Sequence, residues 1–350
     1  MSELRRDPIT NEWIIITGIR DGQTPMDFLT VRISEREGFC PFCEGNEIQT
    51  KPEIQAIRKK DSAPNTPGWS VRVIPSRYPI CERPGEAEKK SEGQFISYEK
   101  MATYGEHEII VESPYHIICI SDDVMTQRVY MKEVLWIAQE RIKELKKDPK
   151  ICSVLVFKNQ GYDRRISLPH AHSQIIGLPI IPAKIEKELN GARHYYEEKK
   201  SCIFCDILKE EMSNKSRIVE ENDNFLAFVP FAARFPFETH IYPKQHNSDF
   251  CGLASQQIPS LAKMLKSIMI KIVKLLDVPP MEWVLHTAPF RAENGKELGP
   301  VSDYYHWHIE ILPHSQPVRG LEWGGGCFIN PPTPEVAAEF LRKIKSFVSE

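Results

Sequence analysis

The stretch Ser167-Leu168-Pro169-His170-Ala171-His172-Ser173-Gln174-Ile175-Ile176-Gly177 decides the reading of this chain. Its β-branched tail and bounding Gly and Pro predict a strand, along which successive side chains point to opposite faces. His170, His172 and Gln174 then share one face, and Ala171 and Ser173 the other. Two imidazoles and an amide in one row suit either a polar site or a pair of hydrogen-bonded structural histidines. Recurrence favours the site, because Tyr305-His306-Trp307-His308-Ile309-Glu310-Ile311 sets His306, His308 and Glu310 in the same kind of row.

Working outward, the two rows close two stretches with the same order of parts. In the first, Cys40-Pro41-Phe42-Cys43 precedes the strand-like Val71–Pro75, the apolar run Ile109-Ile110-Val111 and Pro114-Tyr115-His116. A helical pattern follows, with Met131, Val134, Leu135, Ala138, Ile142 and Leu145 on one stripe and Asp122 and Asp123 suited to its N-terminal turn. A β-rich run, Cys152–Phe157, then leads to the histidine row. In the second, Cys202-Ile203-Phe204-Cys205 precedes Phe225–Val229, Glu238–His246, a helical stripe from Ile258 to Leu275, the strand Glu282–His286 and the second row. The order predicts an α+β fold made of a duplicated unit, residues 1–183 and 184–350. The Lys/Glu-rich stretch Lys184–Lys200 is the expected junction, and Lys51–Pro67 and Glu82–Gly93 read as surface loops.

Nine cysteines, an odd number in a chain with no export-signal pattern, point to a reducing compartment in which cysteine pairs hold metal more often than they form disulfides. Two thiolates two residues apart can take two corners of a tetrahedron. A single such pair also fits a redox motif. Two pairs, each followed by histidines in matching places, favour metal. The expected sites are Cys40, Cys43, His116 and His170 in the first half, and Cys202, Cys205, His246 and His306 in the second. Both would hold zinc, giving two ions per chain.

The 350 residues carry a net charge of 45 − 48 = −3 and 41% hydrophobic residues, too many for a disordered chain. The lack of a basic tract argues against nucleic acid as the main partner. No run reaches the roughly 18 apolar residues of a membrane helix. The expectation is a soluble cytoplasmic protein that does not bind membranes.

If metal fixes His170, then His172 is presented by an anchored strand and is free to react. A neutral imidazole is a good nucleophile toward phosphorus, and the phosphoramidate it forms can be split again. Gln174 on the same face can donate an amide N–H to a phosphoryl oxygen.

The run Ser167–Gln174, with Cys40-Pro41-Phe42-Cys43 upstream, resembles the galactose-1-phosphate uridylyltransferase branch of the histidine-triad superfamily. The resemblance spans nearly the whole chain, from Arg5-Arg6-Asp7-Pro8 through Phe235-Pro236-Phe237-Glu238 to Gly326-Cys327-Phe328-Ile329-Asn330. It implies a duplicated histidine-triad-like unit: an antiparallel half-barrel sheet with helices packed on it, assembled as a homodimer. It further implies double displacement, in which His172 attacks the α-phosphorus of UDP-glucose, glucose 1-phosphate leaves, and a hexose 1-phosphate (galactose 1-phosphate) takes up the uridylyl group. By position Gln174 steadies that phosphate, Asn159 and Ser167 contact phosphate, and Arg20 and Arg77 fall in nucleotide-side segments. Hydrolytic relatives carry a third histidine where this chain has Gln174, which has no titratable proton to give an attacking water.

Two departures leave alternatives open. Some members bind a further metal with a glutamate and three histidines, here Glu188, His286, His306 and His308, and His306 cannot easily serve both that group and the thiolate site. If zinc takes His306, His308 is left as a spare structural imidazole. The stretch Glu322-Trp323-Gly324-Gly325-Gly326-Cys327-Phe328-Ile329-Asn330 resembles a branch that includes ADP-glucose phosphorylase of plants. The rival functions are therefore an ADP-glucose phosphorylase and a non-catalytic, zinc-stabilised nucleotide-binding protein.

Overall fold

The structure, a computed structural model, describes residues 3–10, 13–16, 39–83, 90–92, 98–100, 103–117, 128–161, 170–292, 298–315 and 317–346. The first half supplies strands β1 (Glu3–Arg6), β2 (Trp13–Ile16), β3 (Gln55–Arg58), β4 (Trp69–Pro75), β5 (Lys90–Glu92), β6 (Tyr98–Lys100), β7 (Glu106–Val111), β8 (Ser153–Gln160) and β9 (His172–Leu178). The second supplies β10 (Ile218–Glu221), β11 (Phe225–Phe228), β12 (Thr239–Pro243), β13 (Met281–His286), β14 (His308–Pro313) and β15 (Ile329–Asn330). Ten of these form one antiparallel sheet in the order β10-β11-β12-β14-β13-β8-β9-β7-β4-β3. Read outward from the central β8–β13 pair, both sides run through the fourth, fifth, third, second and first of their own five strands.

Helices α1 (Met131–Lys146) and α4 (Ile258–Leu276) follow the third strand of each side and pack against each other. In α1 the buried Met131, Val134, Leu135, Ala138, Ile142 and Leu145 repeat at the spacing of one helical face. In α4 Pro259 sits in the first turn, where its missing N–H costs nothing, and Asp277 closes the helix in the left-handed region with φ 52°. One face of the sheet presses on this pair through Val71, Val73, Ile110, Val156, Ile175, Trp283, Ile309 and Ile311, and forms the main core. On the other face, helices α2 (Ala183–Lys199) and α3 (Ile203–Asn214) cover the second half through Leu189, Phe204 and Leu208 packed on Leu226, Phe228 and Tyr242. Three shorter α-helices follow in the second half: α5 (Val301–Tyr304), α6 (Gly320–Gly325) and α7 (Pro334–Lys343). No described helix is long and apolar enough to cross a membrane.

Two glycines permit close approaches. At Gly105, where φ is 149°, a Cβ would stand 2.0 Å from the carbonyl oxygen of Gly177, so only glycine lets β7 begin beside the end of β9. At Gly191 in α2 a Cβ would stand 1.8 Å from the carbonyl oxygen of Ile9, which lets the N-terminal segment cross the helix.

Several expectations need correction. Within Lys51–Pro67, residues Gln55–Arg58 form the edge strand β3, because Ile57 and its neighbours are half-buried against β4. Within Glu82–Gly93, Lys90–Glu92 form β5, and residues 84–89 and 93 lie outside the described ones. The expected junction, Lys184–Lys200, falls on helix α2 and its C-cap, with Ile185, Glu188, Leu189 and Ala192 buried, which leaves the boundary itself an expectation. Helix α1 carries Glu133 in its first turn, and Asp122 and Asp123 lie outside the described residues. His170 and His306 each stand just before their strand, which begins at His172 and at His308.

Candidate functional site

The Cys40–Cys43 turn brings two thiols against two imidazoles. Cys40 Sγ lies 3.4 Å from His170 Nδ1, and Cys43 Sγ lies 3.4 Å from His116 Nδ1 and 3.8 Å from His170 Nδ1. In the second half Cys205 Sγ lies 3.2 Å from His246 Nδ1 and 3.7 Å from His306 Nδ1, and Cys202 joins the same group. Zinc bonds of about 2.3 Å to sulfur and about 2.0–2.1 Å to nitrogen, at tetrahedral angles, put S and N about 3.5 Å apart. Both groups match that edge. In each group one histidine also has its outer nitrogen held: His170 Nε2–H donates to the Ser113 carbonyl at 2.9 Å, and His246 Nε2–H to the Ser302 carbonyl at 2.6 Å. Such bonds fix the tautomer that presents Nδ1 to a metal. All four members of each group can therefore hold zinc, which would brace the chain just ahead of β9 and of β14.

His172 opens β9, and its ring lies 5.6 Å from that of Phe42, a residue of the cysteine turn. His172 Nδ1–H donates to the His170 carbonyl at 2.6 Å, which leaves the lone pair on Nε2. Burial holds the imidazole below its ordinary pKa, and burial pushes His170 down to about 4, so both are neutral near pH 7. Gln174 follows on the same face. Asn159 shares that face: Phe157 pairs with Gln174 across β8 and β9, and Asn159 is two residues from Phe157. Arg77 is exposed in the turn after β4, its guanidinium 5.5 Å from the Tyr78 ring. Ser167 and Arg20 lie outside the described residues.

The second row repeats the geometry with a different outcome. His308 Nδ1–H donates to the His306 carbonyl at 3.1 Å, as His172 does to His170, but His308 Nε2 faces Glu188 at 4.0 Å. Glu188 also lies 3.0 Å from His286 Nδ1 and accepts from Tyr305 Oη at 2.9 Å. The two metal groupings set against each other by the sequence are separate in space. His306 belongs with the thiols, and Glu310 completes a buried group of Glu188, His286 and His308. His308 is thus no spare imidazole. Glu310 stands where the first row has Gln174, and it is tied to Arg234 at 2.8 Å and to Lys184 at 3.2 Å.

The family model described as galactose-1-phosphate uridyl transferase, N-terminal domain, matches residues 52–182, and the one for its C-terminal domain matches residues 188–347. The chain belongs to the galactose-1-phosphate uridyl transferase family. It is 33% identical to the ADP-glucose phosphorylase of Arabidopsis thaliana over 98% of this chain and 93% of that protein. It is 31% identical to the galactose-1-phosphate uridylyltransferase of Thermotoga maritima over 98% of each chain. The crystal structure of an Arabidopsis thaliana ADP-glucose phosphorylase with bound ADP-glucose superposes with a TM-score of 0.76 and 31% identity, covering 99% of this chain and 100% of that one. Named relatives of this uridyl transferase family thus include both kinds of nucleotidyltransferase.

Sequence reading of this family member missed His107, whose Nε2 lies 2.8 Å from Gln174 Oε1, and the pairing of Glu112 with Lys158. The available signal was a charged or titratable residue inside the apolar runs of β7 and β8.

Proposed function

We propose that the chain transfers nucleotidyl groups by double displacement through a phosphoramidate on His172. The observation that carries this reading is the 2.6 Å bond from His172 Nδ1–H to the His170 carbonyl, which leaves Nε2 as a neutral nucleophile. The Nε2 lone pair attacks the α-phosphorus of a nucleoside diphosphate sugar, and the P–O bond to the sugar phosphate breaks. A second phosphate then attacks the same phosphorus and returns the electron pair to Nε2. Gln174, Asn159 and Ser167 steady the phosphoryl oxygens, with Arg77 and Arg20 on the nucleotide side. Zinc, when bound, supplies no step here; it would fix the chain on which His172 rides.

The first choice of substrates is UDP-glucose with galactose 1-phosphate, the pair that the uridylyltransferase resemblance implies. A second reading, ADP-glucose with inorganic phosphate, is favoured by the identity to the plant phosphorylase and has equal support. The two sides of the sheet, residues 1–183 and 184–350, are read as copies of one histidine-triad-like unit, since their strand orders and helix positions agree. The second copy has no free nucleophile of this kind, because His308 Nε2 faces Glu188. A homodimer in the cytoplasm with two zinc ions per chain completes the reading.

Incubation with α-phosphate-labelled UDP-glucose or ADP-glucose tests it. Label should appear on the protein with one donor, chase onto the acceptor, and be absent from His172→Asn. Absence of label with both donors would leave a nucleotide-binding protein without turnover.

A further inference from the structure

His107 lies on β7, two strand positions from Ile109, the residue paired with Gln174 on β9, and so shares a face with Gln174. Its ring is buried, and both nitrogens are engaged. The Ile80 N–H points to Nδ1 at 3.4 Å, and Nε2 lies 2.8 Å from Gln174 Oε1. Burial keeps this imidazole below its ordinary pKa, which favours the neutral ring with one donor and one acceptor. A backbone N–H can donate only to the bare nitrogen, so Nδ1 accepts and Nε2 carries the proton. Gln174 Oε1 must then accept from His107. The reversed amide would set its NH2 against the Nε2–H, donor against donor.

We propose that His107 is a positioning residue, which by holding the oxygen of Gln174 turns its amide NH2 toward the phosphoryl group. The assignment rests on the reading of Gln174 as a phosphoryl contact. An amide is symmetric in shape and not in function: one orientation offers the phosphate two donors, the other an acceptor that repels it. The bond also ties the site to the turn after β4. Ile80 and Arg77 share that turn, and Ser76 N–H donates to the His107 carbonyl at 2.8 Å. Among the described residues the second half differs, since Glu310 replaces the amide and its cationic partners are Arg234 and Lys184.

The test is a single-turnover measurement of His172 labelling, with whichever of UDP-glucose and ADP-glucose the protein accepts. His107→Phe keeps the ring and removes the donor. It should slow labelling about tenfold to a hundredfold, as loss of an orienting partner does. His107→Gln sets an amide N–H where Nε2 stood and should recover most of the rate. His107→Glu offers that place only acceptors and should remain slow. In a Gln174→Ala background, His107→Phe should cost nothing more.

A folded His107→Phe that labels within twofold of the parent, while Gln174→Ala is slow, overturns the positioning role and leaves the Gln174 reading standing. Additive losses in the double variant overturn it as well. Full-rate labelling by Gln174→Ala removes the phosphoryl contact itself, and with it any role for His107 through that contact. Should His107→Phe not fold, the Gln and Glu variants carry the same comparison, and equal rates for the two overturn the proposal.

Discussion

Lys158 Nζ donates to Glu112 Oε2 at 2.6 Å, with both side chains sealed inside the protein. Lys158 pairs across strands with Trp283 of the main core, so this ion pair lies behind the sheet, on the face opposite Gln174 and His172. Ser173 Oγ donates to the other oxygen of Glu112, which ties the pair to β9 itself. Strands β8 and β9 and the end of β7, which precedes Glu112, are thereby joined from the face opposite His172.

A buried pair tolerates removal of both partners better than removal of one, because a lone charge keeps its desolvation cost without its attraction. Lys158→Met should therefore lower stability by about 3–5 kcal/mol in urea unfolding. Adding Glu112→Gln should recover a substantial part, since the amide still accepts from Ser173. A double variant as unstable as the single one would contradict the pairing argument.

The parts of the site set by local sequence were legible. Each Cys-x-x-Cys turn and each His-x-His row brings two of its members together within three residues, and the shared order of parts supplied the third and fourth ligands. Strand periodicity correctly put His172 with Gln174. Nothing local announces that His107 reaches Gln174 across 67 residues, or that Glu188 on α2 meets His286 across 98. The conflict over His306 had the same origin: one histidine could be given to either group until β12, β13 and β14 brought Glu310 to the second. Lys51–Pro67 was misread because Pro and Lys dominate its composition, whereas Ile57 and Ala56 need only four residues to add an edge strand.

The two thiol–imidazole groups predict a metal content of two per chain, with distinct consequences. Cys43→Ser should remove one equivalent and slow His172 labelling, because His170 shares that metal group, two residues before His172, and Phe42 of the cysteine turn lies against the His172 ring. Cys205→Ser should remove the other while labelling persists in the folded protein. Elemental analysis of purified variants checks the counts. A third equivalent in the parent would bring in the Glu188, His286, His308 and Glu310 group.

Arg234 bonds both Glu238 and Glu310 at 2.8 Å, with His240 against Glu238 at 2.9 Å and Lys184 against Glu310 at 3.2 Å. Burial alone would raise the Glu238 carboxyl, but Arg234 and the His240 bond outweigh it and hold the group down to about 2. A carboxyl lowered on folding stabilises above its unfolded value, near 4.5, and that stability fades as pH falls toward about 2. Arg234→Met should be several kcal/mol less stable than the parent at pH 7. The gap should narrow between about pH 4.5 and 2, where the unfolded chain takes up the proton that Glu238 in the folded parent does not. Urea midpoints of both proteins across this range decide it, and a gap constant with pH counts against Arg234 as the source.

On the proposed mechanism, Gln174 also decides what the nucleotidyl group does next. Attack by water on a phosphoramidate needs a base or a proton shuttle, whereas a phosphate acceptor arrives already anionic. The Gln174 amide offers hydrogen bonds and no titratable proton, and its oxygen is held at 2.8 Å by His107. Gln174→His supplies an imidazole at that place and gives up the amide. Labelled His172 should then lose its nucleotidyl group to water faster, at least tenfold on the scale of general acid–base catalysis, and transfer to the sugar phosphate or phosphate should fall. The chase of isolated labelled protein, with and without acceptor, measures both rates in one experiment. An unchanged ratio of hydrolysis to transfer would mean that water is excluded by the shape of the site and not by the chemistry of this side chain.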